Sequence, residues 1–457
     1  MPNLTGPRGQ LYADPKPTPG EKAFRQDNTS AAYYNSPYYL AHKNQVQRIP
    51  PRRNSLPLGL ADFLPHDVVA AIQQAGKIRF HAAGDTGAAK VNRSQTAATA
   101  IGHEAAVADA MAADVNSGGP SGPAFLFLLG DVIYNFGEAQ YYYDQLYEPF
   151  RAYDRPIFAI PGNHDAAVFG PGSSAPQVPS LAAFLANFCA GAPGVSPDAG
   201  GLIRSVMTQP GVYFTLDAPF VSIIGLYSNC LEGPGVLSSQ GGHFPIGDDQ
   251  LAFLKSELAR LKPQRDAHAR AVVLAVHHPP LSADAKHGGS TGLQADLDAC
   301  CKEAGLWPDL VLSGHAHLYQ RFTRTVDGGR QTPYLVAGSG GFAATAPQGK
   351  LPPAPIQAGD HVLEINPIID FGYLTIETDG KTLTASFKTA DAKGVAQRDA
   401  VSIDLTTGKL GAPAGAPKGA PRGRAPSPKG TAPKKGAPKG KPKRPARKAT
   451  KKTPRRG

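Results

Sequence analysis

Five short apolar runs punctuate the chain, at 77–85 (KIRFHAAGD), 124–131 (AFLFLLGD), 156–163 (PIFAIPGN), 270–277 (RAVVLAVH) and 308–315 (PDLVLSGH). They are mostly continuous in hydrophobicity instead of alternating, the pattern of strands covered on both faces. Each stops abruptly at a Gly, Asn, Asp or His. Elsewhere the periodicity changes. Segment 210–229 reads as strands of a second sheet, 248–262 (DDQLAFLKSELARLK) as an amphipathic helix, and 372–390 as a hairpin turning at Asp379 and Gly380. Further helices are expected within 61–76, 180–189 and 292–305, with Pro/Gly-rich loops at 170–179 and 191–201. The sum is an α/β protein of two sheets flanked by helices.

The residues at the five run ends are metal-ligand types: Asp85 in GDTG, Asp131 and Tyr134 in GDVIY, Asn163 in GNHD, His277 in HHPP, and His315 and His317 in GHAH. Ligands of open α/β sheets gather beyond the carboxyl ends of the strands, so separation in sequence is no obstacle to convergence. The adjacent Gly84, Gly130, Gly162 and Gly314 let the backbone turn sharply and approach a ligand closely. Carboxylate, amide oxygen, imidazole and a candidate phenolate, without clustered thiolates, suit iron, manganese or zinc. Seven donors are too many for one ion. Two ions about 3.5–4 Å apart, bridged by a carboxylate, would activate water for in-line attack on phosphorus.

In this order the motifs resemble the calcineurin-like metallophosphoesterase superfamily, over roughly 77–390. The resemblance implies a two-sheet α/β/β/α sandwich and a binuclear metal-dependent hydrolase of phosphate esters. Many members carry a metal-binding His two residues after the first Asp; here that position is Gly87, and Tyr134 follows Asp131 by three residues. That combination is similar to the purple acid phosphatase branch, in which a tyrosinate binds a ferric ion. Carried over by position, Asp85, Asp131, Tyr134 and His317 hold the first metal, and Asp131, Asn163, His277 and His315 the second. Asp131 is the bridge, and the pair is iron with iron, manganese or zinc. The other reading of Tyr134 is a packing residue at the pocket edge.

The resemblance also nominates His164, beside Asn163, to face the phosphate oxygens or the leaving group. Asp165 either orients that ring or caps the segment that follows. His287, ten residues beyond His277, is either substrate-facing or an ordinary solvent-exposed His. His277 is the expected ligand of the HHPP pair, and His278 supports it structurally. No covalent phosphoenzyme is required.

Charge alters the picture only at one end. Sixteen of the 47 basic residues lie in 411–457, which has no Asp or Glu, leaving 31 basic against 36 acidic residues in 1–410. The body is therefore net −5 and the high pI belongs to the tail. A Pro, Gly, Ala and Lys composition without aromatics cannot form a core and predicts disorder. Such a polycation binds nucleic acid or another polyanion through counterion release, or is simply a solvated tail. The expected organisation is an extension over 1–75, a catalytic domain over 76–408 and the basic tail over 411–457. The extension could pack on the domain, roof the site or contact a partner.

Cys189, Cys230, Cys300 and Cys301 form neither a metal motif nor a disulfide framework. No apolar stretch reaches the ~20 residues that span a bilayer. The start lacks a signal-peptide pattern, and the segment after Arg52 and Arg53 is not an apolar one, so a cytoplasmic location is expected. Three functional classes remain: a phosphomonoesterase like the purple acid phosphatases, a phosphodiesterase or nuclease brought to nucleic acid by the tail, and a non-catalytic polyanion-binding protein.

Overall fold

The structure is a computed structural model of the 457-residue chain, and it describes residues 48–87, 97–134, 137, 139–166, 180–228, 235–239, 247–285, 287–347, 349 and 351–411. The first strands are β1 (Leu58–Gly59), β2 (Ile78–Ala83), β3 (Leu126–Leu128), β4 (Ile157–Ala159), β5 (Phe214–Ala218) and β6 (Val221–Leu226). Next come β7 (Ala271–Val276), β8 (Leu310–Ser313), β9 (Tyr319–Val326), β10 (Arg330–Ala337), β11 (Ile356–Ala358) and β12 (His361–Leu363). The last four are β13 (Gly372–Thr378), β14 (Thr382–Asp391), β15 (Gly394–Asp404) and β16 (Lys409–Gly411). Five α-helices are described: α1 (His66–Ala75), α2 (Ala97–Gly118), α3 (Ala182–Phe188), α4 (Asp249–Asp266) and α5 (Thr291–Ala304).

All five ligand-bearing runs are strands, but they belong to two different sheets. A seven-stranded sheet has the order β16-β15-β14-β13-β2-β3-β4, and a nine-stranded sheet the order β1-β5-β6-β7-β8-β10-β9-β12-β11. Within them β2, β3 and β4 are mutually parallel, as are β6, β7 and β8.

The strand sequences explain this layering. Along β7, Ala271, Val273 and Ala275 enter one buried cluster while Val272, Leu274 and Val276 enter another. The first cluster also contains Phe80, Phe127 and Phe158 of the opposite sheet, so it is the core between the sheets. The second contains Phe253, Leu254, Leu258 and Leu261 of α4 and Leu293 and Leu297 of α5. A strand buried on both faces needs apolar residues at successive positions, which is why these runs do not alternate.

Sheet pairing extends the fold past both boundaries drawn from composition. β1 pairs in parallel with β5, and β16 pairs with β15. Arg53 donates to the carbonyls of Cys189, Ala190, Thr208 and Gln209, and Arg52 lies over the rings of Tyr213 and Phe253. Of the 1–75 extension, then, 48–75 pack on the catalytic domain; 1–47 lie outside the described residues. The tail expectation also falls outside them, except for Gly411 in β16. Among the described residues no helix is long and apolar enough to cross a membrane.

Candidate metal centre

The backbone at the strand ends is held in unusual geometry. Asp85, Asp131 and His315 adopt left-handed conformations, with φ of 56°, 53° and 67°. Asp and His tolerate this region better than most residues, yet each such position costs about 1–3 kcal/mol and persists only where its surroundings over-determine it. They do so here. Asp85 N–H donates to the Gly130 carbonyl at 3.0 Å, Phe342 N–H donates to the Asp85 carbonyl at 3.0 Å, and His315 N–H donates to Asp85 Oδ2 at 2.7 Å. Of the four glycines beside the ligands only Gly130 has a positive φ, 95°; beside Gly84 and Gly314 the left-handed residue is the ligand itself. Gly162 is required for space, because a Cβ there would lie 2.1 Å from Asp131 Oδ1.

All seven expected donors converge. Tyr134 OH donates toward Asp85 Oδ1 and Asp131 Oδ2, at 2.9 Å each, and lies 3.4 Å from His317 Nε2. His317 Nε2 is 3.4 Å from Asp85 Oδ1. On the other side, His277 Nε2 is 3.3 Å from the same Asp131 Oδ2 and 3.1 Å from Asn163 Oδ1, which is 3.0 Å from His315 Nδ1. One ligand atom each from Asp131, His277 and His315 lie within 4.8 Å of one another. Asp131 Oδ2 is thus common to two donor clusters.

The donor set fits a cation on a direct test. His277 Nδ1 sits 2.8 Å from the Leu129 carbonyl and so donates its proton there. In the neutral ring Nε2 is then a bare lone pair facing Asn163 Oδ1 and Asp131 Oδ2, and three acceptors with no donor among them need a proton or a metal between them, beyond the Tyr134 hydroxyl that reaches Asp131 from the other side. Without a metal the proton wins. Burial disfavours the charged ring, but Asp131 and Asp85 outweigh it and raise His277 to about 9. Burial likewise opposes ionisation of Asp131, yet the His277 and His164 rings hold its carboxyl below the ordinary range. His315 is pushed well down by burial and by the surrounding His278, His287, His277 and His317 rings. Burial, then Asp131 and Asp85, push the Tyr134 phenol well up, so a phenolate there requires a strongly acidic cation.

The absent imidazole and the present phenol are linked sterically. A Cβ at position 87 would lie 2.7 Å from Gln145 Oε1, 2.8 Å from the Val132 carbonyl and 2.9 Å from Tyr134 Cδ2, so the backbone, the glutamine and the tyrosine together leave no room for a His there. Gln145 clamps Tyr134 from behind, accepting its N–H and donating to its carbonyl, both at 2.7 Å. Phe342 stacks on the phenol ring, and His164 lies 4.4 Å from it, centroid to centroid.

His164 is the partly exposed member of the site, and its N–H donates to Asp131 Oδ1 at 2.9 Å. The Asp165 carboxylate accepts the N–H groups of Gly162, Val132 and Ile133, at 2.9 to 3.1 Å, tying the GNHD loop to the Asp131 loop. Burial and Asp131 together push its pKa up to about 7 despite those three donors. His287 is buried, not solvent-exposed, with its ring 4.7 Å from that of His315 and 5.1 Å from that of His317. His278 is anchored to Ser228, whose Oγ accepts its N–H at 3.1 Å and lies 3.0 Å from its Nδ1.

Sequence reasoning missed Gln145, Phe342 and the glycine-rich segment 338–342 that closes over Asp85. The last had a signal, since PYLVAGSGGF is another apolar run ending in glycine. It carries no metal-ligand side chain, and Gln145 had no signal at all.

The family sequence description "Calcineurin-like phosphoesterase" matches residues 78–319. No curated protein sequence matches the chain. Among solved structures, purple acid phosphatase PPD1 from yellow lupin (Lupinus luteus) superposes with a TM-score of 0.51 at 16% identity, over 72% of this chain and 54% of that one. The shared part is thus about half of the lupin protein. GAP50 of Plasmodium gives 0.45 at 14% identity over 70% of this chain and 88% of that one, and PhoD 0.45 at 13% identity over 79% and 72%.

Proposed function

The chain belongs to the calcineurin-like phosphoesterase family, and from that premise we propose that it is a phosphomonoesterase with a binuclear metal centre of the purple acid phosphatase type. The observation that carries this reading is Asp131 Oδ2, common to a cluster with Asp85, Tyr134 and His317 and a cluster with Asn163, His277 and His315. Asp131 would bridge the two ions, the first cluster would hold iron with Tyr134 as a tyrosinate, and the second would hold iron, manganese or zinc. When bound, the two cations supply Lewis-acid activation of water and of the phosphoryl oxygens.

The chain's own groups do the rest. His164, fixed at its backbone by Asp131 and flanked by Tyr134, presents its ring at the open side of the site and binds the phosphoryl oxygens. His287, packed on the two GHAH rings, gives a proton to the departing ester oxygen. Asp165 keeps the two oxygen-bearing loops in register. The buried walls at Phe342 and Tyr134 keep solvent from the first cluster.

The test compares a phosphate monoester, a diester and a nucleic acid, using the full chain and one lacking 412–457. Hydrolysis of the monoester, independent of the tail, supports the proposal. Preference for the diester, with loss of polymer hydrolysis alone on removing the sixteen basic residues of the tail, would support the nuclease reading instead.

A further inference from the structure

One buried carboxylate beside the centre is not a member of either donor cluster. Asp284 is fully buried, and its Oδ2 accepts the His287 N–H at 2.7 Å and lies 2.9 Å from His287 Nδ1. The described residues of the loop that presents this pair are braced. Ala283 bridges to Gly288, Asp284 bridges to Pro347, and Ala285 N–H donates to the Ala346 carbonyl at 3.0 Å. Gln320 accepts the Ala283 N–H at 2.6 Å and donates to Ser282 Oγ at 3.1 Å. The adjoining Thr345 N–H donates to the carbonyl of His317 at 3.0 Å. One backbone frame therefore sets both the His287 loop and the metal-site residue His317.

We propose that Asp284 is a positioning residue for protonation of the leaving group. With Oδ2 2.9 Å from Nδ1, the carboxylate pairs with the protonated ring on that side, which sets its tilt and leaves Nε2 as the nitrogen that serves the substrate. The step balances simply: as the P–O bond breaks, the Nε2–H bond breaks and an O–H bond forms on the departing oxygen. The ring enters the step as the imidazolium, with a proton on each nitrogen and its charge set against the Asp284 carboxylate, and leaves it neutral, keeping the Nδ1 proton. The carboxylate's place in this reaction rests on the hydrolase reading above, but its geometry does not. A carboxylate taken wholly out of water is costly unless paired, and its partner here is a ring packed on two residues of the metal site.

The experiment measures kcat/KM for p-nitrophenyl phosphate, whose leaving group departs readily as an anion, and for glycerol 2-phosphate, whose alkoxide needs a proton. In Asp284→Ala, glycerol 2-phosphate hydrolysis should fall about 100-fold and p-nitrophenyl phosphate hydrolysis less than about threefold, the signature of lost general-acid help. His287→Ala should show the same selectivity, and the double variant should be no worse than His287→Ala. Asp284→Asn, which keeps an acceptor oxygen and disturbs the fold least, should show the selective loss in smaller measure. Metal content and thermal midpoint should match the wild type. Equal losses on both substrates in the Asn variant, or additive losses in the double variant, would overturn the proposal. A wild type inactive on both esters would sink the hydrolase reading and this inference with it.

Discussion

The two sheets contribute chemically opposite halves to one site. The ends of β2, β3 and β4 bring oxygen, from Asp85, Asp131, Tyr134 and Asn163; the ends of β7 and β8 bring imidazole, from His277, His315 and His317. They are also held by different means. The oxygen half is fixed through its backbone, with left-handed aspartates and the Asp165 carboxylate gathering three amides. In the imidazole half His277 is fixed through its ring, by an acceptor that sets which nitrogen faces inward, while His315 is left-handed like the aspartates. His277 leans on the Leu129 carbonyl and His278 on Ser228. The halves are stitched where an element of one fixes an element of the other, since Leu129 belongs to the oxygen side and His315 N–H donates to Asp85 Oδ2. Where the acidic half meets the basic half the two shift each other, Asp131 raising His277 and His277 lowering Asp131.

The contrast breaks most severely at the residue common to both clusters. Asp131→Asn should cost at least about 1,000-fold in kcat/KM, roughly 4 kcal/mol, and remove both metals. His277→Ala should release one ion and leave the other, which metal content per chain will show. A single ion lost in Asp131→Asn would mean that the carboxylate does not bridge.

Next comes the anchoring of the oxygen half. Asp165→Ala strands the buried amides of Gly162, Val132 and Ile133, and should destabilise the chain by about 3 kcal/mol in a denaturant titration. A loss below about 1 kcal/mol would show that the loops hold themselves. Gly87→His should cost about 2 kcal/mol by overpacking against Tyr134, and Tyr134→Ala in the same chain should restore part of it. Additive losses would break the steric link between the missing imidazole and the phenol.

The smallest expected effect lies away from the centre. His81, buried beside Tyr153 and Asp114, has its pKa lowered, by burial first, with the Asp114 partner opposing. A folded value below the unfolded ~6.5 means that the unfolded chain binds the proton first. Stability is therefore whole above pH ~6.5 and falls as pH drops below it, by at most about 1.4 kcal/mol per unit from this group. His81→Gln should flatten that part of the stability–pH curve; an unchanged slope would contradict the assignment.

What the sequence made legible follows from the physics of single residues. A strand buried on both faces must be continuously apolar, and a metal donor must be one of a few side-chain types, so β2, β3, β4, β7 and β8 and their terminal ligands could be read directly. The division of those strands between two sheets could not, because 271–276 and 126–128 look alike until partners are assigned. Pairwise roles were hidden for a related reason. Asp165 reads equally as a cap or a ring partner, whereas in the fold it accepts amides from a loop 32 and 33 residues away. Gln145 has no type signal. Asp284 was invisible because its meaning depends on a turn that brings it back onto His287, and His287 itself became interpretable only once packed on His315 and His317.

The most direct measurement is metal analysis with a visible absorption spectrum, on wild type and Tyr134→Phe purified without chelator. Two ions per chain, iron among them, with an absorption band that disappears in Tyr134→Phe, is the predicted result. An iron-loaded wild type whose spectrum survives the substitution, or an active chain with a single ion, would contradict a tyrosinate-bearing binuclear centre bridged by Asp131.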